Sequence, residues 1–117
     1  MAEPVITIRS YGHAPVTLTH RQILYLRAEG KYTRFFLTDN REVLSSYTLK
    51  RYNALLPHFW RTSKTYLINP LYVRKYAHRG GIAAQNGYVK LKGGLHFEVA
   101  RRRVADFPFK YFRAYKS

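Results

Sequence analysis

The sequence predicts a mainly β fold: small antiparallel sheets with one short helix near residues 47–56. Three observations predict it. Apolar and polar residues alternate with period two through most of the chain. Turn-forming pairs such as Asp39-Asn40 and Gly93-Gly94 separate the alternating runs. A helical period appears at one place only, around Leu49, Tyr52 and Leu56.

Taken in order, Val5-Ile6-Thr7-Ile8 and Val16-Thr17-Leu18-Thr19 read as short strands around the turn-rich Ser10-Tyr11-Gly12-His13. Ile23-Leu24-Tyr25-Leu26 is a continuous apolar run, which suggests a strand buried on both faces. Residues 32–37 and 42–44 form a hairpin across Asp39-Asn40, residue types that tolerate a left-handed backbone. The helix follows, with Ser45 or Ser46 available to cap it and Pro57 unable to continue it. Strand character returns at residues 65–68 and 71–76. Residues 78–87 are a loop by composition. A last hairpin pairs Tyr88-Val89-Lys90-Leu91-Lys92 with Leu95-His96-Phe97-Glu98-Val99 through a two-residue Gly93-Gly94 turn, and Val89, Leu91, Leu95, Phe97 and Val99 share its core face. Phe59 and Trp60 read as core, and Asn69, before Pro70, reads as a structural amide bonded to turn backbone.

The 117 residues fit a single domain over 1–117, and 46% hydrophobic content supports a packed core. The charge is lopsided: 21 Lys and Arg against 6 Asp and Glu, a net charge of +15. A fold does not need that imbalance, and self-repulsion works against it, so a polyanionic partner is implied. No apolar run is long enough to span a membrane, and the N-terminus has no signal-peptide pattern. The absence of cysteine excludes disulfides and thiolate metal sites and is compatible with a reducing cytoplasm.

No catalytic residues assemble. The histidines 13, 20, 58, 78 and 96 show no metal-ligand spacing, the carboxylates are scattered, and no glycine-rich loop precedes a helix. The expectation is a binder with no cofactor, no metal and no small-molecule substrate. Its basic residues gather where strands should end: Gly30-Lys31-Tyr32-Thr33-Arg34, Arg61-Thr62-Ser63-Lys64-Thr65 and Arg101-Arg102-Arg103. Such mixtures of cationic, hydroxyl and aromatic side chains suit phosphate oxygens and base edges.

At these residues a family resemblance becomes specific. Ile23-Leu24-Tyr25-Leu26-Arg27-Ala28-Glu29-Gly30-Lys31-Tyr32-Thr33 resembles the first strand and loop of LytTR-type DNA-binding domains, the output domains of bacterial response regulators. Leu49-Lys50-Arg51-Tyr52-Asn53-Ala54-Leu55-Leu56-Pro57 is similar to that family's helix. Phe59-Trp60-Arg61-Thr62-Ser63-Lys64-Thr65-Tyr66-Leu67-Ile68-Asn69 resembles its most recognisable motif, and Phe97 to Arg103 its closing strand and basic end. The ordered resemblance covers residues 6–107 and leaves 108–117 as a tail.

The resemblance implies an elongated arrangement of small sheets whose loops enter successive major grooves of double-stranded DNA and regulate transcription. By position, Thr33, Lys64 and Arg101 would contact bases, with Lys31, Arg34, Arg61, Ser63 and Arg102 supporting them or holding phosphate. Thr33 and Lys64 depart from side chains common in the family, which implies a different base preference. The resemblance also implies repeated half-sites and a homodimer on DNA. No receiver domain is present, which leaves a stand-alone regulator and a piece of a larger one both open. Two other readings stay open: binding of RNA or single-stranded DNA through basic and aromatic residues, and a protein-interaction module without nucleic-acid binding.

Overall fold

A computed structural model describes residues 3–78 and 87–100. Among the described residues, ten strands and one α-helix follow each other as β1 (Val5–Ile8), β2 (Val16–Thr19), β3 (Ile23–Glu29), β4 (Tyr32–Leu37), β5 (Glu42–Ser45), α1 (Leu49–Leu55), β6 (Trp60–Arg61), β7 (Tyr66–Ile68), β8 (Val73–His78), β9 (Gly87–Leu91) and β10 (His96–Val99). They form three antiparallel sheets: β1-β2, a five-stranded β5-β4-β3-β7-β6, and β10-β9-β8. The mainly β architecture with one short helix is therefore the one the alternation predicts.

Along β3, β7 and β6 the five-stranded sheet is covered on both faces, and neighbouring residues show it. Leu67 and Phe35 of the sheet belong to one core with Ile8 and Leu18 of the β1-β2 hairpin and with Tyr52 and Leu56 of α1 and its C-cap. Ile68, the next residue, belongs to a second core with Val89, Leu91, Phe97 and Val99 of the three-stranded sheet. Phe59 and Trp60 divide the same way. This is the period-two geometry of a strand with two buried faces. It also explains β6, a short strand that composition alone reads only as core.

β3 carries the expected two-faced apolar run, with one irregularity. The β3-β4 register shifts between Ile23 and Tyr25. That extra residue lets Leu24 and Tyr25 both pack on the second core while Ile23 and Leu26 face the first.

Three expectations are corrected. The helix runs over 49–55, and its cap is Thr48, whose Oγ1 accepts from the Arg51 N–H at 3.3 Å. Ser45 cannot cap it because it still belongs to β5 and its buried hydroxyl is bonded elsewhere. The last hairpin turns through three residues, Lys92–Gly94, with φ of 82° and 83° at Gly93 and Gly94. The Leu91 N–H to Leu95 O bond at 2.8 Å closes it, so Lys92 leaves the strand. The strand expected from Leu71 begins at Val73, because Pro70–Tyr72 form a 3-10 turn.

Asn69 plays the structural part read from its sequence. Its Nδ2 donates to the carbonyls of Ile23 (2.8 Å) and His20 (3.0 Å), and its Oδ1 accepts from the Leu71 N–H (3.0 Å). One amide thus joins the start of β3 to the end of β7. The loop expected over 78–87 lies mostly outside the described residues, as does the tail.

Candidate nucleic-acid interface

Strand direction brings four connections to one end of the five-stranded sheet. β3 ends at Glu29 and β4 begins at Tyr32, joined by Gly30-Lys31. Gly30 has φ of 61° and Lys31 does not, the pattern of a II′ hairpin turn. β5 ends at Ser45, paired with Thr33. The 62–65 loop between β6 and β7 is tied to β3 by the Ala28 N–H to Thr65 O bond, 2.7 Å. β10 arrives at the same loop through the Ala100 N–H to Thr62 O bond, 2.7 Å.

The sequence-expected residues divide by what they touch. Lys31 and Lys64 are exposed and make no ion pair among the described residues. The other described ones are engaged within the protein. Thr33 is fully buried, and its hydroxyl donates to the Tyr47 carbonyl at 2.8 Å. It sits two residues beyond the turn, on the inward phase of β4, so its side chain faces the core.

Arg34 lies on the opposite phase and is also bound. Its Nε and Nη2 donate to the Glu29 carboxylate at 2.8 and 3.2 Å, and its Nη1 reaches Glu42 at 3.4 Å. Arg61 donates from Nε to the Ser63 carbonyl (2.7 Å) and from Nη2 to the Lys64 carbonyl (3.0 Å). The Ser63 hydroxyl accepts from the N–H groups of Thr65 (3.1 Å) and Tyr66 (3.3 Å). Arg61 and Ser63 therefore shape the loop from which Lys64 projects. Arg101 and Arg102 lie outside the described residues.

Glu29 is a residue that composition does not single out. Arg27 and Arg34 are direct cross-strand partners, a like-charge pair that opposes pairing of β3 with β4. Glu29 relieves it, accepting from both guanidinium groups. The signal was a carboxylate at the strand end, two residues from one arginine, but its value depends on a register that only the fold supplies.

The hydrogen bonds from Arg34 and then Arg27 hold the Glu29 carboxyl at about 2, below its ordinary 4.5. The folded value is the lower one, so the clamp stabilises the protein above about pH 4.5 and its contribution is lost as pH falls towards 2. Glu29→Gln is expected to lower stability at pH 7 by about 1 kcal/mol after screening by solvent, and to flatten the acid limb of a Tm-against-pH curve. An unchanged acid limb would show that the clamp does not form in solution.

Among the described residues, no group of three or more metal-binding side chains forms, and no helix is long and apolar enough to cross a membrane. Fold and site together define a class: small antiparallel β domains carrying strong positive charge, with braced loops collected at one sheet end. The family model of the LytTr DNA-binding domain matches residues 15–110, so the chain belongs to the LytTR family of DNA-binding domains. That family is a DNA-binding one and not an enzymatic one.

A solved structure from Bacillus cereus is similar along nearly the whole chain. It is described as the LytTr DNA-binding domain of a protein assigned to the methyl-accepting/DNA response regulators. The match has a TM-score of 0.70 and 16% identity, and covers 97% of this chain and 96% of that one. At that identity the likeness establishes the fold. No curated protein matches the sequence.

Proposed function

We propose that this domain binds double-stranded DNA sequence-specifically, by loops set into successive major grooves, and acts as the output domain of a bacterial transcription regulator. The observation that carries this reading is the pairing of free cations with fixed loops. Among the described residues, Lys31 and Lys64 project without an ion pair from two turns at the same sheet end, and each turn is braced by its own hydrogen bonds. A charged side chain on a rigid turn loses little further freedom when it meets an anion. A net charge of +15 supplies the long-range attraction.

The roles differ from the purely positional ones. Lys31 and Lys64 are contact residues. Thr33, Arg34, Arg61 and Ser63 are positioning residues that hold those turns. Arg101 is the contact proposed for a guanine edge and Arg102 for phosphate, in the segment that follows the Ala100–Thr62 bond. Repeated half-sites and a homodimer on DNA belong to the same proposal, as does action in the cytoplasm.

Arg101→Ala is expected to cost about 1–3 kcal/mol of binding and to relax preference at one base pair. Lys64→Ala should weaken all sequences alike if it holds phosphate. Selection from a random duplex pool, repeated with each variant, reads both. The proposal expects one enriched site that single strands do not compete away. Preferential capture of single strands would replace it with the single-strand reading, for which the exposed Tyr11, its ring 4.9 Å from that of Tyr32, would offer a stacking surface. No shift of any nucleic acid at moderate salt would leave a protein-interaction module.

A further inference from the structure

Beside the Gly30-Lys31 turn, along the β5 edge of the sheet, lies a groove whose residues are not among the loop contacts. The chain leaving β1 runs along the end of β5. Ser10 bridges to Ser45, the Tyr11 N–H donates to the Leu44 carbonyl at 2.8 Å, and the Ser46 N–H donates to the Arg9 carbonyl at 3.1 Å. The β1-β2 turn and the β5-α1 link thereby enclose an open groove of about 570 Å³, lined by Arg9, Ser10, Tyr11, His13 and Ser46 with no carboxylate. Among the described residues the hydroxyls of Ser10, Tyr11 and Ser46 have no hydrogen-bond partner, and the Arg9 guanidinium has no carboxylate.

The groove is continuous with the proposed interface. Tyr11 packs on Tyr32, next to Lys31. Thr33 holds the Tyr47 carbonyl, and the Arg51 guanidinium lies 3.9 Å from the Tyr47 ring centre. Lys50 and Arg51 are exposed in the first turn of α1, which has no acidic residue. On the other side of Tyr11 and His13, Glu42 lines an adjoining hollow and is engaged by Arg34.

We propose that this groove, together with the exposed side chains of Lys50 and Arg51, forms a second, sequence-independent contact for the phosphate backbone of duplex DNA, lengthening the footprint beyond the loops. Hydroxyl donors and cations around an acid-free concavity match phosphate oxygens and carry no base information. The inference rests on the proposed function, because the duplex reaches the groove only if the loops are engaged.

The test is the triple variant Arg9→Gln, Lys50→Gln, Arg51→Gln, with binding measured across a salt series on the selected site and on a scrambled duplex. Each phosphate contact contributes a slope of roughly 0.9 in log K against log salt, so the triple variant should lower the slope by about 2 to 3. Affinity near 150 mM salt should fall by roughly a hundredfold on both duplexes alike. Arg51 also packs on Tyr47, so the double variant Arg9→Gln, Lys50→Gln keeps the test free of folding effects, with a slope change of about 2. A steep wild-type slope that neither variant changes would overturn the second contact and leave the loops standing. A flat wild-type slope would overturn both. Loss confined to the selected site would show base reading and contradict a phosphate role.

Discussion

Raising salt from about 50 to 200 mM is expected to weaken duplex binding by roughly a thousandfold. The estimate takes about six neutralised phosphates, each releasing condensed counterions, which gives a slope near −5. The contact residues proposed at the loops, Lys31, Lys64, Arg101 and Arg102, cannot reach that number alone. A measured slope near −3 to −4 would fit the loops by themselves. A slope near −5 or steeper requires further cations, for which Arg9, Lys50 and Arg51 are the proposed source. Arg34 is not expected to contribute, because Glu29 and Glu42 already neutralise it. A flat dependence would remove the electrostatic basis of the account.

The second large effect concerns stability. Tyr52→Ala is expected to destabilise the domain by about 3–5 kcal/mol, the cost of emptying a large buried aromatic site. Tyr52 is fully buried, and its ring meets Phe35 edge-on at 4.8 Å, which seats α1 on the five-stranded sheet. Its hydroxyl lies 2.5 Å from Ser45 Oγ. Ser45 spends its own proton on the Arg9 carbonyl, so Tyr52 is the donor. Tyr52→Phe isolates that bond and should cost about 1–2 kcal/mol. Denaturant titrations of the two variants separate packing from hydrogen bonding. Equal losses would mean that the bond, and not the ring, carries the helix.

Burial also holds the Tyr52 hydroxyl in its neutral form, with its pKa raised above the ordinary tyrosine value. A neutral donor between Ser45 and α1 keeps the β5-α1 link in place, and with it the groove on which the second DNA contact depends.

Local pattern made much of the fold legible. β1, β2 and β4 follow alternation that one buried face imposes, and Asn40 turns with φ of 70° where Asp39-Asn40 marks a turn. Asn69 was readable because an amide before Pro70 has few other uses. The helix cap was misplaced because Ser45, Ser46 and Thr48 are chemically equivalent caps, and only the reach of β5 excludes the first.

The candidate site was legible by region more than by residue. Charge at strand ends marks the 30–31 and 62–65 turns, and the third basic cluster, 101–103, lies outside the described residues. Which side chain leaves a turn depends on strand phase and register. Thr33 falls on the inward phase, and Arg34 falls opposite Arg27 beside Glu29. The groove was not visible at all, because it joins residues 9–13 to residue 46 across a contact distant in sequence.

The central claim is that the loops read the major groove of a duplex. Methylation interference on the selected site tests it most directly, since guanine N7 lies in the major groove and adenine N3 in the minor. The account predicts interference at guanine N7 in clusters about one helical turn apart on one face of the DNA. Interference at adenine N3 alone, with guanine N7 methylation tolerated throughout the site, would contradict it.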